Sequence, residues 1–237
     1  MLDRLFFELV EDLDNVASEN VGADSLSKMA EKFGLTHASY LGVNIPLAKQ
    51  DVYILTTYTN EWVHQYVSKD YVKIDPVIQL GLRGIMPLDW KDLRDKNETT
   101  RNFFGESREF GLGRQGLTIP MRGAHGEIAM FSLNVDIPDR RWESEKRKLI
   151  RDFSVLAYHF HNRVLEQYGV HDEDVKLSSK EIEVLKWSAQ GKANQDIADI
   201  LRISERTVRF HLECARAKLN TINTTQAVAR AIRLGLI

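Results

Sequence analysis

Five residues within one 33-residue stretch could together hold a small, partly polar molecule: Tyr58, Trp62, Tyr66, Asp75 and Trp90. An indole N–H only donates a hydrogen bond, an ionised carboxylate only accepts, and a phenol hydroxyl does either. The rings add large apolar area around those polar tips. A carboxylate among them is costly if left dry and unpaired, so the set calls for a hydrogen-bond donor, from the chain or from a ligand. A plainer reading competes. Aromatics four apart on a helix serve a core, and an Asp before Pro, as in Asp75-Pro76, caps a helix. On residue types alone that plainer reading is the stronger.

A second set suits nucleic acid. Thr207 to Lys218 reads as a helix whose Val208, Leu212, Ala215 and Leu219 repeat at helical spacing, while Arg206, Arg209, Phe210, Glu213 and Arg216 lie on the other side. One face fits a small core and the other the major groove of DNA. Arg209 is the residue expected on a base, since a guanidinium can bond guanine O6 and N7 together. Arg206, Arg216 and Lys192 are expected on phosphates. Glu213 either accepts from cytosine N4 or orients Arg209 or Arg216, with orientation slightly favoured. The bland alternative for these arginines is a solvated helix face.

Positioning that face needs a helix-turn-helix. Ala193 to Leu201 places Ile197, Ala198 and Leu201 on one stripe, Arg202-Ile203-Ser204 breaks it, and Ser204 is suited to cap the next helix. A last helix over Thr225–Leu234, capped by Thr224 or Thr225, presents Val228, Ala231 and Ile232.

The aromatic set needs a different frame. Helices are expected over Leu2–Val16, Asp24–Phe33 (capped by Asp24 or Ser25, stopped by Gly34), Asn60–Lys69, Thr99–Phe110 and Arg141–Gln167. Strands are expected over Ala38–Val43, Val52–Thr57, Met86–Leu88, Gly116–Met121 and Glu127–Val135, the last two as a hairpin through Arg122–Gly126. That order predicts an α+β fold: an α-β-α sandwich on a mainly antiparallel five-stranded sheet, plus a small all-α helix-turn-helix domain. In the long helix, Leu149, Phe153, Leu156, Phe160 and Val164 form a stripe spaced nearly as in a coiled-coil seam. It predicts packing on the sheet with part left for a partner subunit, or packing wholly on the sheet. Tyr168–Lys176 lacks apolar periodicity and contains Gly and three acids, which marks a linker at 168–176 between domains at 1–167 and 177–237.

Charge follows the same division. Residues 175–237 carry 11 Lys/Arg against 6 Asp/Glu, and the chain's net −2 leaves −7 on the remainder. A basic end on an acidic body suits phosphate binding by one part only. The single cysteine, Cys214, excludes an internal disulfide and a cysteine-rich zinc site. No apolar run reaches membrane-span length and no signal-peptide core follows the start, so a cytoplasmic protein is expected, with no membrane partner.

Over essentially its full length the sequence resembles the LuxR-type quorum-sensing transcription factors, receptors for N-acyl-homoserine lactones. The resemblance rests first on Tyr58, Trp62, Tyr66, Asp75-Pro76, Trp90 and the Gly116–Pro120 strand. In the second domain it rests on Glu181, Leu185, Gly191 and the Ile203–Leu212 run. It implies that Trp62 donates to the lactone carbonyl, Asp75 accepts the amide N–H, and Tyr58 and Ser132 donate to the acyl carbonyl. Tyr66 and Trp90 then wall the ligand, and Leu41, Ile54 and Ala129, assigned from strand position, line its acyl tail. It further implies a homodimer, paired through the last helix, on double-stranded DNA with an inverted-repeat operator. Activation through RNA polymerase follows, with no cofactor beyond the lactone; release from DNA by the lactone is the alternative. Glu213 departs from the basic or neutral residue common in relatives, and Thr224 from a common Arg.

Two other classes fit less well. A phosphorylation-driven regulator needs clustered acids at strand ends in a β-α alternation, and that pattern is absent. A lactone- or amide-cleaving enzyme would use Asp75 or His125 as base, but no Ser-His-Asp or metal-ligand spacing accompanies them. No enzyme is expected.

Overall fold

The computed structural model describes residues 22–46, 48, 52–123, 126–168 and 175–237. The expected helix over Leu2–Val16, the hairpin tip with His125 and most of the expected linker lie outside them. Two compact units meet along the chain at residues 171–172.

In the first unit, α1 (Ala23–Phe33) leads into β1 (His37–Val43) and β2 (Val52–Thr56). Then come α2 (Asn60–Ser68), a 3-10 turn at Tyr71–Lys73, α3 (Pro76–Gly81), β3 (Leu88–Asp89) and α4 (Lys91–Arg94). After them follow α5 (Glu98–Glu109), β4 (Gln115–Arg122), β5 (Ile128–Val135) and the 29-residue α6 (Asp139–Gln167). The five strands form one sheet in the order β2-β1-β5-β4-β3, each pairing antiparallel.

Helix ends follow local chemistry. Gly34 stops α1 in the left-handed conformation (φ 63°) that costs glycine nothing, and its N–H returns to the helix carbonyls. The start of α1 differs from expectation: its cap position is Gly22, with no side-chain bond, and Asp24 and Ser25 sit inside the first turn. Asn97 caps α5 reciprocally with Thr100. The expected strand at Met86 begins two residues later, and Ile85 and Met86 are exposed.

Each sheet face has its own core. Alternation sends Tyr40, Leu117, Ile119, Phe131 and Leu133 to the face covered by α1 and α6. Leu149, Phe153, Leu156, Phe160 and Val164 are all buried there, with Phe160 5.2 Å from Tyr40 and 5.6 Å from Phe131, ring centre to ring centre. The seam-like stripe is thus used within its own domain; the apolar residues α6 turns outward are Val155 and Tyr158. The other face carries α2 to α5 with Trp62, Tyr71, Val77, Trp90, Phe103 and Phe104.

The second unit is four helices: α7 (Ser179–Ala189), α8 (Asn194–Leu201), α9 (Glu205–Lys218) and α10 (Thr224–Arg233). Ile197, Ala198, Val208, Leu212, Ala215 and Leu219 meet in its core with Val184 and Leu185 of α7. Glu181 joins two of these helices. It accepts from the Ser178 N–H in a capping box, and its carboxylate receives Lys218 Nζ at 2.8 Å. The last helix is capped by Asn223, whose side chain accepts from Gln226 N, not by Thr224 or Thr225. Its Ala231 is buried in the core; Ile232 is the residue left exposed.

Candidate ligand cavity and nucleic-acid interface

A cavity of about 170 Å³ lies between the sheet and helices α2 to α5. Register decides which strand residues reach it. Thr56 pairs with Ser39, Ser39 with Ser132 and Ser132 with Thr118, while Ile54 pairs with Leu41 and Leu41 with Met130. Paired residues share a face, so Ser39, Leu41, Ile54, Thr56, Met130 and Ser132 line the cavity. Ala129 does not. It lies one residue from Met130, so the period of two turns it to the opposite face, into the core under α6. Leu41 and Ile54, assigned from strand position, border the cavity, and so does Ser132, assigned from the resemblance.

The five residues that opened the sequence reading all border this space. Thr59 caps α2 by accepting from Trp62 N, which starts the helix so that Trp62 and Tyr66 lie one turn apart on the inward side. Their rings meet edge to face at 5.9 Å, and Phe103 completes the wall, with Tyr71 packed against all three rings. On the outer side of that wall, Glu106 accepts from Lys69, Tyr71 and Gln65, which hold its carboxyl down at about 2 and tie α2 to α5.

Asp75 is at once a helix cap and a lining residue. It caps α3, accepting Val77 N at 2.8 Å on Oδ1, and it also faces the cavity, where Oδ2 accepts the Tyr66 hydroxyl at 2.9 Å. It is 7% exposed. Burial raises its pKa to about 6, against the lowering effect of the Tyr66, Val77 and Ile78 hydrogen bonds. Burial, and next the Asp75 charge, also raise the pKa values of Tyr58 and Tyr66, which stay protonated as donors.

Trp90 lies flat against the sheet because Gly116 has no side chain: a Cβ there would sit 2.1 Å from the indole ring. The indole Nε1 then donates to Thr118 Oγ1 at 2.9 Å, and Thr118 Oγ1 is 2.8 Å from Ser132 Oγ. Sequence reasoning missed Ser39, Thr56 and Thr118. They form a row of hydroxyls with Ser132 across four strands, and only the register brings them together. The cavity opens beside β2 and α2, where Ile54 is 57% and Val67 72% exposed.

In the second unit α9 presents the expected outward face. Ser204 caps it by accepting Thr207 N at 3.1 Å, and the Thr207 hydroxyl is engaged with Ser204 Oγ at 2.7 Å. Arg206, Arg209, Phe210 and Glu213 are exposed, as is Lys192 ahead of α8. Two of the arginines have partners within the domain: Arg209 is paired with Glu205 one turn back, and Arg216 is half-buried, donating to the Ile222 carbonyl at 2.7 Å. Arg216 therefore ties the end of α9 to the loop before α10.

An aromatic-walled cavity in one unit and an outward helix on a helix-turn-helix in the other are the parts of a DNA-binding regulator that responds to a small molecule. Comparison with known proteins gives the family. Residues 22–164 match the autoinducer binding domain, and residues 175–231 match the bacterial regulatory proteins of the luxR family. The chain is similar to the transcriptional activator protein RaiR of Rhizobium etli, 36% identical over 175 residues, 73% of this chain and 72% of that one. It is also similar to the transcriptional activator protein AnoR of Acinetobacter nosocomialis, 30% identical over 227 residues, 94% of each chain. Its fold is like that of Escherichia coli SdiA, with a TM-score of 0.63 over 100% of this chain and 99% of that one at 24% identity. The chain belongs to the LuxR-type quorum-sensing transcriptional regulators, a family that is not enzymatic. Among the described residues no group of His, Cys, Asp and Glu could hold a metal, and no helix is long and apolar enough to cross a membrane.

Proposed function

We propose that the cavity binds an N-acyl-homoserine lactone and that the chain, as a homodimer, then binds an inverted-repeat promoter element and activates transcription with RNA polymerase as its further partner. One observation carries this reading most: Asp75, a buried carboxylate, faces a largely apolar cavity whose other polar groups are hydroxyls and indole N–H groups, all able to donate. A ligand with one amide N–H and two carbonyls matches one acceptor and several donors. In this reading Asp75 accepts the amide N–H, Trp62 donates to the lactone carbonyl, and Tyr58 and Ser132 donate to the acyl carbonyl. Tyr66 and Trp90 wall the ring, and the tail runs along Leu41, Ile54 and Met130 towards the opening. Residues 1–167 serve as the binding and dimerisation domain, 168–176 as the linker and 177–237 as the DNA-binding domain, with Arg206, Arg209, Phe210 and Glu213 in the groove.

A ligand that binds only the folded state stabilises it by linkage, by about 2.7 kcal/mol at a hundredfold excess over Kd. Melting curves with a series of acyl lactones should therefore rise for the cognate chain length. A midpoint unchanged by every lactone at saturation would sink the reading. Footprinting of selected DNA with and without that lactone then shows whether the ligand recruits the protein to DNA or releases it.

A further inference from the structure

Among the polar groups around the cavity, one hydrogen-bonded chain has a direction that can be worked out. It begins at Trp90, whose indole N–H has no lone pair to accept with, so in the 2.9 Å contact Trp90 donates and Thr118 Oγ1 accepts. Thr118 is fully buried and has one hydroxyl proton of its own. Among the described residues its other hydrogen-bond partner is Ser132 Oγ at 2.8 Å, directly opposite in the β4–β5 register. If Ser132 donated to Thr118, the Thr118 proton would be left in a dry interior without an acceptor, which is disfavoured. Thr118 therefore donates to Ser132. One lone pair of the Ser132 oxygen is then filled from behind, and its own proton is free to turn into the cavity that Ser132 lines.

We propose that Thr118, held by Trp90, is a positioning residue that leaves the Ser132 proton for the ligand, so that this point of the cavity favours a ligand carbonyl oxygen over a group that cannot accept. The proposal rests on the cavity being the ligand site. It adds Thr118, which does not border the cavity, to the residues that determine specificity. It also gives Trp90 a polar task besides that of a wall. Gly116 is part of the same device, since only a residue without a Cβ lets the indole lie close enough to reach Thr118.

The test compares pairs of ligands differing in one acceptor, on the full chain and on Thr118→Val, Thr118→Ser and Ser132→Ala. The first pair is N-octanoyl-homoserine lactone and its thioamide, in which sulfur replaces the acyl oxygen and accepts poorly. The second is 1-octanoylglycerol and 1-O-octylglycerol, an ester and its ether. In the proposed binding mode Tyr58 and Ser132 both donate to the acyl oxygen, so the wild type is expected to prefer the better acceptor in each pair by more than the roughly tenfold of one hydrogen bond. Thr118→Val and Ser132→Ala should reduce that preference about tenfold, leaving the share that Tyr58 supplies, although Thr118 touches no ligand. Thr118→Ser, which keeps the hydroxyl, should restore it. A Thr118→Val protein that keeps the full wild-type preference overturns the proposal, because a purely structural role would weaken both ligands of a pair alike. Binding of the glycerol ligands alone, with the expected pattern, would overturn the lactone reading and uphold the directed donor. A wild type that takes neither carbonyl ligand overturns both.

Discussion

Tyr66 donates its hydroxyl hydrogen to Asp75 Oδ2 at 2.9 Å, while Asp75 Oδ1 accepts the backbone N–H of Val77 at 2.8 Å. One carboxylate thereby starts helix α3 and fixes the orientation of a cavity wall. Each oxygen keeps further lone-pair capacity, so Asp75 can still accept from a ligand. The cap and the cavity-facing carboxylate are the same residue, so capping by Asp-Pro does not exclude a place in the cavity wall.

The charge on Asp75 makes ligand binding depend on pH. Its pKa, about 6, lies above the ordinary aspartate value of 3.8. A raised carboxylate pKa favours folding most below the unfolded value, and that contribution is lost as pH rises through 6; its full extent is about 3 kcal/mol. A ligand N–H favours the ionised form and works in the opposite direction. The rise in melting temperature caused by the cognate lactone should therefore be large at pH 7.5 and shrink as pH falls below about 6. In Asp75→Asn the ligand effect should be small at both pH values and its change between them lost. An equal ligand effect at pH 5 and 7.5 in the wild type would show that Asp75 is not the acceptor.

Gly116 should tolerate no side chain. A Cβ 2.1 Å from the Trp90 ring forces the indole away from the sheet and off Thr118. Overpacking of this kind costs about 1–3 kcal/mol. Gly116→Ala should lower the urea midpoint accordingly and shift the tryptophan emission, and should bind lactone more weakly even at temperatures where it is fully folded. Unchanged emission and affinity would mean that the sheet moves to make room.

How much of this was open to view in the sequence depended on whether a contact is local. Trp62 and Tyr66 share a helix face, and Ser204 caps α9; both follow from spacing along one segment. The Arg209–Glu205 pair, four residues apart, was equally legible although it was passed over. So was α7, announced by the Ser178-x-x-Glu181 box. The face of Ala129 was not. Strand β5 is covered on both sides, so its sequence lacks the apolar–polar alternation that reveals parity, and only its pairing with β1 decides the matter. The Thr118–Ser132 contact and the hold of Ile222 on Arg216 are likewise non-local or depend on a backbone acceptor, which no residue type announces.

The recognition helix offers the last prediction. Its buried stripe is Val208, Leu212, Ala215 and Leu219, and the residues farthest from that stripe are Arg206, Phe210, Glu213 and Ala217. Phe210 and Glu213, more than Arg209, thus occupy the middle of the outward face. An exposed phenyl ring there can contact a thymine methyl, and a carboxylate can accept from cytosine N4. The role favoured for Glu213 from sequence, orientation of an arginine, is the alternative, with Arg209 paired with Glu205 and Arg216 with the Ile222 carbonyl. Duplexes selected from a random pool should lose about fourfold in affinity when the critical thymine is replaced by uracil, the effect of one methyl-sized group at about 0.8 kcal/mol. Phe210→Ala should bind the thymine and uracil duplexes equally. Glu213→Gln should change the base preferred at one position, since an amide donates where the carboxylate only accepts. If Glu213→Gln selects the same sequence as the wild type, Glu213 reads no base, and the specificity of this helix lies in Arg206, Arg209 and Phe210.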